Sequence, residues 1–169
     1  MKTVLLLRHG KSDWAAGARG DHERPLTARG VKAARRMGRF LAMAQQIPDR
    51  VLCSSAVRAQ ETLRLAIEAG GWSCPVEISA GLYAASPGDV LALLRQAPDE
   101  VERLLLVGHE PTWSDVASAL IGGGVFCFPT AAIARIDLPI DDWSQEGDGQ
   151  GELIWFVTPR LLRDYSNPS

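Results

Sequence analysis

Two short segments of the sequence place a histidine at or just after the end of an apolar run. Residues 5–10 read LLLRHG and residues 104–109 read LLLVGH, so His9 and His109 both follow a stretch typical of a buried strand. In open α/β sheets, ligands bind at the carboxyl ends of the strands. Taken singly, either histidine could be a structural residue hydrogen-bonded in a loop. Their shared placement instead predicts that both lie at one ligand-binding edge of a sheet.

Two arginines are predicted to accompany these histidines. Arg8 ends the first apolar run, and Arg58 lies near the start of a helix that follows a third run, VLC at residues 51–53. If Ser55 caps this helix, Arg58 occupies the third helical position, where its charge opposes the helix dipole unless an anion binds there. The alternative is an exposed Arg58 paired with an acid such as Glu61.

These four side chains together suit a phosphoryl dianion. Guanidinium groups hold phosphate oxygens through charge-assisted hydrogen bonds. A neutral imidazole can attack phosphorus, and the charges of Arg8 and Arg58 are expected to lower the pKa of His9 and keep it nucleophilic. His109 can donate to the equatorial oxygens as charge shifts in the transition state. The pattern therefore predicts phosphoryl transfer.

Alternating strands and helices must position these residues. Strands are predicted at residues 4–7, 50–53, 76–79, 104–107, 132–138 and 153–157, and helices are predicted to begin near Thr27, Ser54, Ser86 and Pro111. This order predicts an α/β protein, with three α/β/α layers around a mostly parallel central sheet. Apolar and polar residues alternate in residues 132–138, which predicts that this strand lies near a sheet edge. We expect one domain over residues 1–160 and a loosely held tail over residues 161–169.

The composition narrows the class of protein. Of the 169 residues, 46% are hydrophobic and 22% are charged, which is typical of a globular domain and excludes wholesale disorder. The 18 Lys and Arg residues nearly balance the 20 Asp and Glu residues, so the formal net charge of −2 argues against nucleic acid or a membrane surface as a partner. The apolar run at residues 4–7 is too short for a signal peptide or a membrane span. A soluble, cytoplasmic protein is expected.

Several other candidate residues have a simpler interpretation. Cys53, Cys74 and Cys127 contain no C-x-x-C pair and are expected to be buried, unpaired residues of a reducing compartment. The five tryptophans are expected to be packing residues. His22 is interpreted as a solvated loop residue or part of a pocket rim, and the three histidines show no zinc-binding pattern. No metal or cofactor is expected.

The motifs, taken in order, resemble the histidine phosphatase superfamily, whose fold is phosphoglycerate mutase-like. RHG is similar to the superfamily signature, and the longer segments are closer to the SixA-type phosphohistidine phosphatase branch. The segments are LRHGKSDW at 7–14, DHERPLT at 21–27, SSAVRAQET at 54–62, LVGHEP at 106–111, FPT at 128–130 and FVTPR at 156–160. The resemblance covers residues 3 to about 160.

The resemblance implies roles for individual residues. His9 is implied to become a transient phosphohistidine. The phosphoryl group is implied to be bound by Arg8, Arg58 and His109. Ser12 stands where the wider superfamily has Ser or Thr near the phosphate. The implied substrate is a phosphorylated protein carrying a phosphotransfer histidine, or a small phosphorylated molecule, and the product is inorganic phosphate.

The sequence departs from the mutase branch of the superfamily at two places. Where that branch usually has Asn, six positions after the nucleophile, this chain has Ala15, and the segment GLYAA at 81–85 lacks the acidic proton donor. An alkoxide leaving group needs such a donor, whereas imidazole leaving from phosphohistidine needs it less, so the absence favours phosphohistidine. Asp21, Glu23 or Glu110 could still supply a proton from a loop. Small phosphate esters, and non-catalytic binding of phosphorylated partners, stay open as alternatives.

Overall fold

The structure is a computed structural model that describes residues 1–14, 17–145 and 149–163, and this part of the chain contains one six-stranded sheet and four α-helices. The strands are β1 (Lys2–Arg8), β2 (Arg50–Ser54), β3 (Val76–Ser79), β4 (Arg103–Gly108), β5 (Ile133–Leu138) and β6 (Glu152–Val157). The helices are α1 (Ala28–Met43), α2 (Val57–Gly70), α3 (Pro87–Leu94) and α4 (Thr112–Leu120). All six predicted strands and all four predicted helices are present.

The strand order β3-β2-β4-β1-β5-β6 puts β1 and β4 side by side in the middle of the sheet. β1 pairs with β4 in parallel, with Arg8 opposite Gly108, and β4 pairs with β2 in parallel. β5 runs antiparallel to both β1 and β6 and lies one strand in from the edge. The sheet is therefore mostly parallel, as predicted, and the carboxyl ends of β1, β2 and β4 meet at one edge.

Helices cover both faces of this sheet. Leu5 and Leu7 join a core with α1 and α2, while Val4 and Leu6 join a second core with α3 and α4. Because both faces of β1 and β4 are buried, their sequences are apolar without alternation. The three-layer α/β/α arrangement predicted from the sequence is confirmed.

The sequence signals for helix starts are confirmed at α1 and α3. Thr27 caps α1 by accepting a hydrogen bond from the Gly30 amide. Ser86 and Asp89 form a capping box at the start of α3, in which each side chain accepts from the other residue's backbone amide. Pro111 is the cap residue of α4, one position before its first helical residue.

The expected cap of α2 is wrong. The helix begins at Val57 and its cap residue is Ala56, which has no side-chain oxygen to offer. Ser55 lies one position too early, and its hydroxyl instead contacts His22. Arg58 is consequently the second helical residue and not the third.

Burial of the cysteines was predicted correctly only in part. All three are free, but Cys53 alone is buried, whereas Cys74 is half-buried and Cys127 is exposed. Cys127 faces outward because its neighbours Phe126 and Phe128 both pack against the core, and the residue between them is left on the other side of the chain.

The tryptophans also divide into two groups. Trp72, Trp113 and Trp143 are buried in the core and Trp155 packs half-buried against it, as expected of packing residues. Trp14 is 60% exposed, and its ring lies 4.9 Å from the guanidinium carbon of Arg24. Trp14 is thus a surface residue in a cation–π contact, which corrects the prediction for this position.

The end of the chain is described as far as residue 163. Leu162 packs against the core that α1 and α2 share, and residues 164–169 lie outside the described part, so the boundary between residues 160 and 161 stays a prediction. In the described residues, no helix combines the length and the apolar character needed to cross a membrane.

Candidate active site

A cavity of about 490 Å³ opens at the edge where β1, β2 and β4 end. All five residues that the sequence predicted for the site line it, namely Arg8, His9, Ser12, Arg58 and His109. Its other lining residues are Lys11, Asp21, Arg24, Tyr83, Ala84, Glu110 and Thr130. The fold therefore brings together side chains as far apart in the sequence as Arg8 and Thr130.

His9 is buried, and its two ring nitrogens have different partners. Nδ1 lies 2.7 Å from the carbonyl oxygen of Gly10. A carbonyl oxygen only accepts, so Nδ1 carries the proton and Nε2 keeps its lone pair. Arg58 Nε donates to this Nε2 over 3.3 Å. The nitrogen that could attack phosphorus therefore faces a guanidinium group.

The pKa of His9 is lowered to about 3, as its predicted role requires, although the main cause differs from the one expected. Burial is the largest cause, and the charges of His109, Arg58 and Arg8 contribute less. A buried imidazolium loses its hydration, so the neutral ring is favoured even before the arginines act. His9 is thus neutral at neutral pH.

A buried threonine joins the His9 loop to α2. Thr62 Oγ1 accepts a hydrogen bond from the Gly10 amide over 2.9 Å and donates to the carbonyl oxygen of Arg58 over 2.7 Å. A side chain at Gly10 would bring its Cβ to 2.9 Å from the carbonyl oxygen of Gly30 on α1, so only glycine allows this approach. Thr62 lies within the SSAVRAQET motif, but no sequence signal marked it as a positioning residue.

Arg58 is only 5% exposed and makes an ion pair, but with a different acid from the one considered at first. Its NH1 donates to the backbone carbonyl of Asp21 over 2.7 Å, and its NH2 donates to Asp21 Oδ2 over 3.1 Å. The carboxylate of Glu61 instead accepts from the Leu26 amide. The interpretation of Arg58 as an exposed residue paired with Glu61 is therefore wrong.

His109 follows β4 and faces His9 across the cavity, with 5.2 Å between the ring centroids. Its Nδ1 lies 3.4 Å from Arg58 NH2, and its Nε2 lies 2.7 Å from Ser54 Oγ at the end of β2. Because a guanidinium group only donates, Nδ1 accepts and Nε2 donates to the serine. Burial first, and then the charge of Arg58, lower the pKa of His109 to about 4.

Arg8 and Ser12 complete the set predicted from sequence. Arg8 NH1 donates to the carbonyl oxygen of Phe128 over 2.6 Å, while its buried Nε has no hydrogen-bond partner within the described residues. Ser12 Oγ accepts from Arg24 NH1 over 2.9 Å. Both side chains border the cavity and are held in place by hydrogen bonds.

Asp21 connects the basic residues on one side of the cavity. Oδ1 accepts from Arg24, and Oδ2 accepts from Arg58 and from the Tyr83 hydroxyl, which is 2.8 Å away. Partial burial by itself would raise the pKa of this carboxyl, but the hydrogen bonds from Tyr83 and Arg24 and the charge of Arg58 outweigh it and lower the pKa to about 2. Asp21 is therefore ionised and orients Arg58.

Comparison with known proteins agrees with this geometry. Residues 4–118 match the histidine phosphatase superfamily (branch 1). This chain belongs to the histidine phosphatase superfamily. It is 36% identical over 164 residues to an uncharacterized protein of Mycobacterium tuberculosis, an alignment covering 91% of this chain and all of the relative. It is 30% identical over 163 residues to the phosphohistidine phosphatase SixA of Escherichia coli, covering 95% and 96% of the two chains.

A solved structure supports the same relationship. The protein histidine phosphatase SixA complexed with tungstate superposes with a TM-score of 0.82 at 30% identity, covering 95% of this chain and 99% of that chain. The resemblance to the SixA branch and the phosphoglycerate mutase-like fold are both confirmed. Membership of the superfamily and the likeness to SixA support a phosphatase activity.

The three carboxylates that could supply a proton from a loop, Asp21, Glu23 and Glu110, have different surroundings in this histidine phosphatase. Asp21 is unsuited because it is ionised. Glu23 is not among the cavity-lining residues, and its Oε2 accepts from the Arg19 amide. Glu110 does line the cavity, although both of its oxygens accept hydrogen bonds from Ser114. Ala15, the position that differs from the mutase branch, lies outside the described residues.

His22 is half-buried at the rim and is not a fully solvated loop residue. Its Nε2 lies 2.9 Å from Ser55 Oγ, and its ring meets that of Tyr83 edge-on at 4.7 Å. Because Tyr83 lines the cavity and His22 does not, His22 supports the wall from outside. The rim interpretation made from the sequence is therefore the correct one of the two.

Proposed function

We propose that this histidine phosphatase removes the phosphoryl group from a protein-borne phosphohistidine through a phospho-His9 intermediate. The observation that carries the proposal is the unprotonated Nε2 of His9, buried and facing Arg58 in a cavity that Arg8 also lines. A neutral nucleophile beside two guanidinium groups is the combination that phosphoryl transfer requires. The likeness to SixA supports the choice of phosphohistidine as substrate.

In the first step, His9 Nε2 forms a bond to phosphorus while the P–N bond of the substrate breaks. Arg58 Nε transfers its hydrogen bond from Nε2 to a phosphoryl oxygen, which frees the lone pair for in-line attack. The electron pair of the broken bond stays on the substrate imidazole, whose other ring nitrogen takes a proton from water, so it leaves as neutral imidazole without a strong acid. Positive charge that builds on the His9 ring is stabilised by the hydrogen bond from Nδ1 to the Gly10 carbonyl.

In the second step, water attacks phosphorus, the Nε2–P bond breaks and inorganic phosphate leaves with the protons of that water. The departing His9 returns to its neutral form. His109 stabilises the equatorial oxygens in both steps, because the charge of a bound dianion raises the pKa of His109 and allows Nδ1 to take up a proton and donate. All catalytic charges in this scheme come from side chains, so no metal is invoked.

The choice of substrate depends on the leaving group. Asp21 is ionised and cannot protonate an alkoxide, which favours the N–P bond of phosphohistidine over the O–P bond of an ester. A second candidate, hydrolysis of small phosphate monoesters, is favoured by the position of Glu110 in the cavity wall. A phosphorelay substrate would place the enzyme in the cytoplasm, where three unpaired cysteines are expected.

Turnover of a phosphohistidine peptide, a phosphoserine peptide and several sugar phosphates tests the substrate. We expect kcat/KM for phosphohistidine to exceed that for each ester by at least about tenfold. A preference for the esters would overturn the proposal, and loss of that ester activity in Glu110→Gln would then support the second candidate. The matched control is Glu23→Gln, a carboxylate outside the cavity.

Trapping the intermediate tests the mechanism. Rapid mixing with a ³²P-labelled substrate followed by an alkaline quench, which preserves phosphohistidine, is expected to label the wild-type enzyme and leave His9→Gln unlabelled. Turnover without labelled enzyme, undiminished in His9→Gln, would contradict the covalent mechanism. Binding of the phosphorylated peptide without turnover would indicate a non-catalytic module.

A further inference from the structure

A second depression, here called the basic groove, adjoins the catalytic cavity. It has a volume of about 480 Å³ and lies along α1, beside the segments that flank β5 and β6. Six cationic side chains line it, namely Lys11, Arg29, Lys32, Arg36, Arg160 and Arg163. Lys11 and Thr130 line both the groove and the cavity, so the two depressions are continuous. One ligand can therefore occupy both.

In the described part of the chain, the cations of the basic groove have no carboxylate partner. Within residues 1–14, 17–145 and 149–163, none of the six forms an ion pair with a carboxylate. Arg36 is half-buried, its NH1 donates to the carbonyl oxygen of Pro159 over 3.2 Å, and its buried Nε has no hydrogen-bond partner among the described residues. Six cations close together repel one another, so the groove favours the approach of an anion.

The spacing of these cations excludes a single phosphoryl group as their common ligand. Arg29, Lys32 and Arg36 stand at i, i+3 and i+7 of α1, so they follow one face of the helix over about 10 Å. Arg160 and Arg163 add charge from a separate segment. The ligand must therefore carry several negative charges spread along a surface or an extended chain.

We propose that the basic groove docks a carboxylate-rich surface of the phosphoprotein substrate while its phosphohistidine enters the cavity. This inference rests on the proposed function and adds how the substrate protein is recognised. Nucleic acid fits less well because, among the described residues, no aromatic side chain on which bases could stack lines the groove. The chain as a whole carries a net charge of −2, so it does not attract an acidic protein as a whole. The attraction between the basic groove and the carboxylates of the partner is local and orients the partner.

Two phosphohistidine peptides of equal length test the proposal, one flanked by glutamates and one flanked by serines. At low salt, we expect the wild-type kcat/KM for the acidic peptide to exceed that for the neutral peptide by about tenfold, and the preference to decline as salt is added. The double variant Arg29→Glu with Lys32→Glu is expected to remove the preference. Glutamate near the start of α1 suits the helix dipole, so this variant is expected to fold.

The matched control reverses the same number of charges at positions of the same helix that do not line the groove. Arg35 and Arg39 are exposed on α1 but do not line the groove, so Arg35→Glu with Arg39→Glu changes the net charge equally. This control is expected to retain the preference for the acidic peptide. An equal loss in both double variants, or no preference in the wild-type enzyme, would overturn the inference.

A binding measurement separates this inference from the proposed function. Fluorescence anisotropy with a labelled, unphosphorylated glutamate-rich peptide is expected to show about tenfold weaker binding to the groove variant than to the control variant. If this holds but phosphohistidine is not hydrolysed, the proposed function fails and the acidic docking site stands. If phosphohistidine is hydrolysed but the two variants bind equally, the docking site fails alone. Tighter binding of a single-stranded oligonucleotide of equal charge would overturn the choice of a protein partner.

Discussion

The catalytic cavity and the basic groove adjoin each other and are both lined by cations, but their cations are held in different ways. In the cavity, Arg58 is 5% exposed and is fixed by hydrogen bonds to Asp21 and His9. In the groove, Arg29 and Lys32 are exposed and make no described ion pair. Fixed donors stabilise a transition state because they need no reorganisation, whereas exposed cations contribute little per pair and chiefly orient a partner. The proposed roles of the two regions, catalysis and docking, therefore differ because of the hydrogen bonds that fix or leave free each cation, and not because of the number of cations.

Among changes in the cavity, removal of His9, the proposed nucleophile, is expected to lower the activity most. His9→Ala is expected to lower kcat by at least about 10⁴-fold, because the covalent intermediate is proposed to form on His9. Steady-state turnover of phosphohistidine peptide measures this loss. His22→Ala is the matched control, since His22 supports the rim without lining the cavity. A similar loss in both variants would mean that His9 acts only through the fold.

Removal of the fixed guanidinium is the next largest change. Arg58→Ala is expected to lower kcat/KM by about 10³-fold, close to 4 kcal/mol of transition-state stabilisation, because the proposed donor to the phosphoryl oxygens is lost together with its contacts to His9, Asp21 and His109. Circular dichroism checks that the variant is folded. The control is Arg64→Ala on the same helix, whose only described ion pair is an exposed one with Glu68. Equal activity of Arg58→Ala and Arg64→Ala would show that a fixed, buried guanidinium contributes no more to catalysis than an exposed one.

The buried imidazole of His9 predicts a pH dependence of stability. Its pKa is about 3 in the folded protein and about 6.5 when unfolded, so between these values the unfolded chain binds more protons. The free energy of unfolding therefore decreases as pH falls from 6.5 towards 3, and His9 alone accounts for on the order of 2 kcal/mol between pH 7 and 4.5. Urea denaturation at these two pH values measures the change. The same decrease in His9→Gln would contradict this assignment.

Removing the ion pair that orients Arg58, while keeping Arg58 itself, is expected to have the smallest effect of the four predicted changes. Asp21→Asn keeps the shape of the side chain but removes the charge that orients Arg58 and Arg24, and kcat/KM is expected to fall by about tenfold. The loss is expected mainly in kcat, because the phosphoryl group still meets the same donors. Glu23→Gln, in the same short turn, is expected to retain full activity. An unchanged kcat in Asp21→Asn would show that Arg58 is oriented by its other partners.

Much of the fold could be predicted because the signals were local. Continuous apolar runs indicated strands buried on both faces, and Ser86 with Asp89 indicated a helix start, since each pattern depends only on near neighbours. The cap of α2 was missed because Ser55 satisfies the local rule equally well, whereas its hydroxyl contacts His22, 33 positions away in the sequence. Local rules fail where a distant residue competes for the same hydrogen bond.

The sequence alone determined which residue types would meet at the edge of the sheet. Parallel strands that end in Arg8 or are followed by His109 must bring those side chains to the same edge, whatever the details of packing. Only the tertiary structure decided the electrostatics. The pairing of Arg58 with Asp21 and the burial that keeps His9 neutral depend on distances across the fold, and hydration is lost only once the layers have packed. The basic groove also depends on the tertiary structure, because α1 forms it together with the segment around Pro159, which lies 123 positions after Arg36.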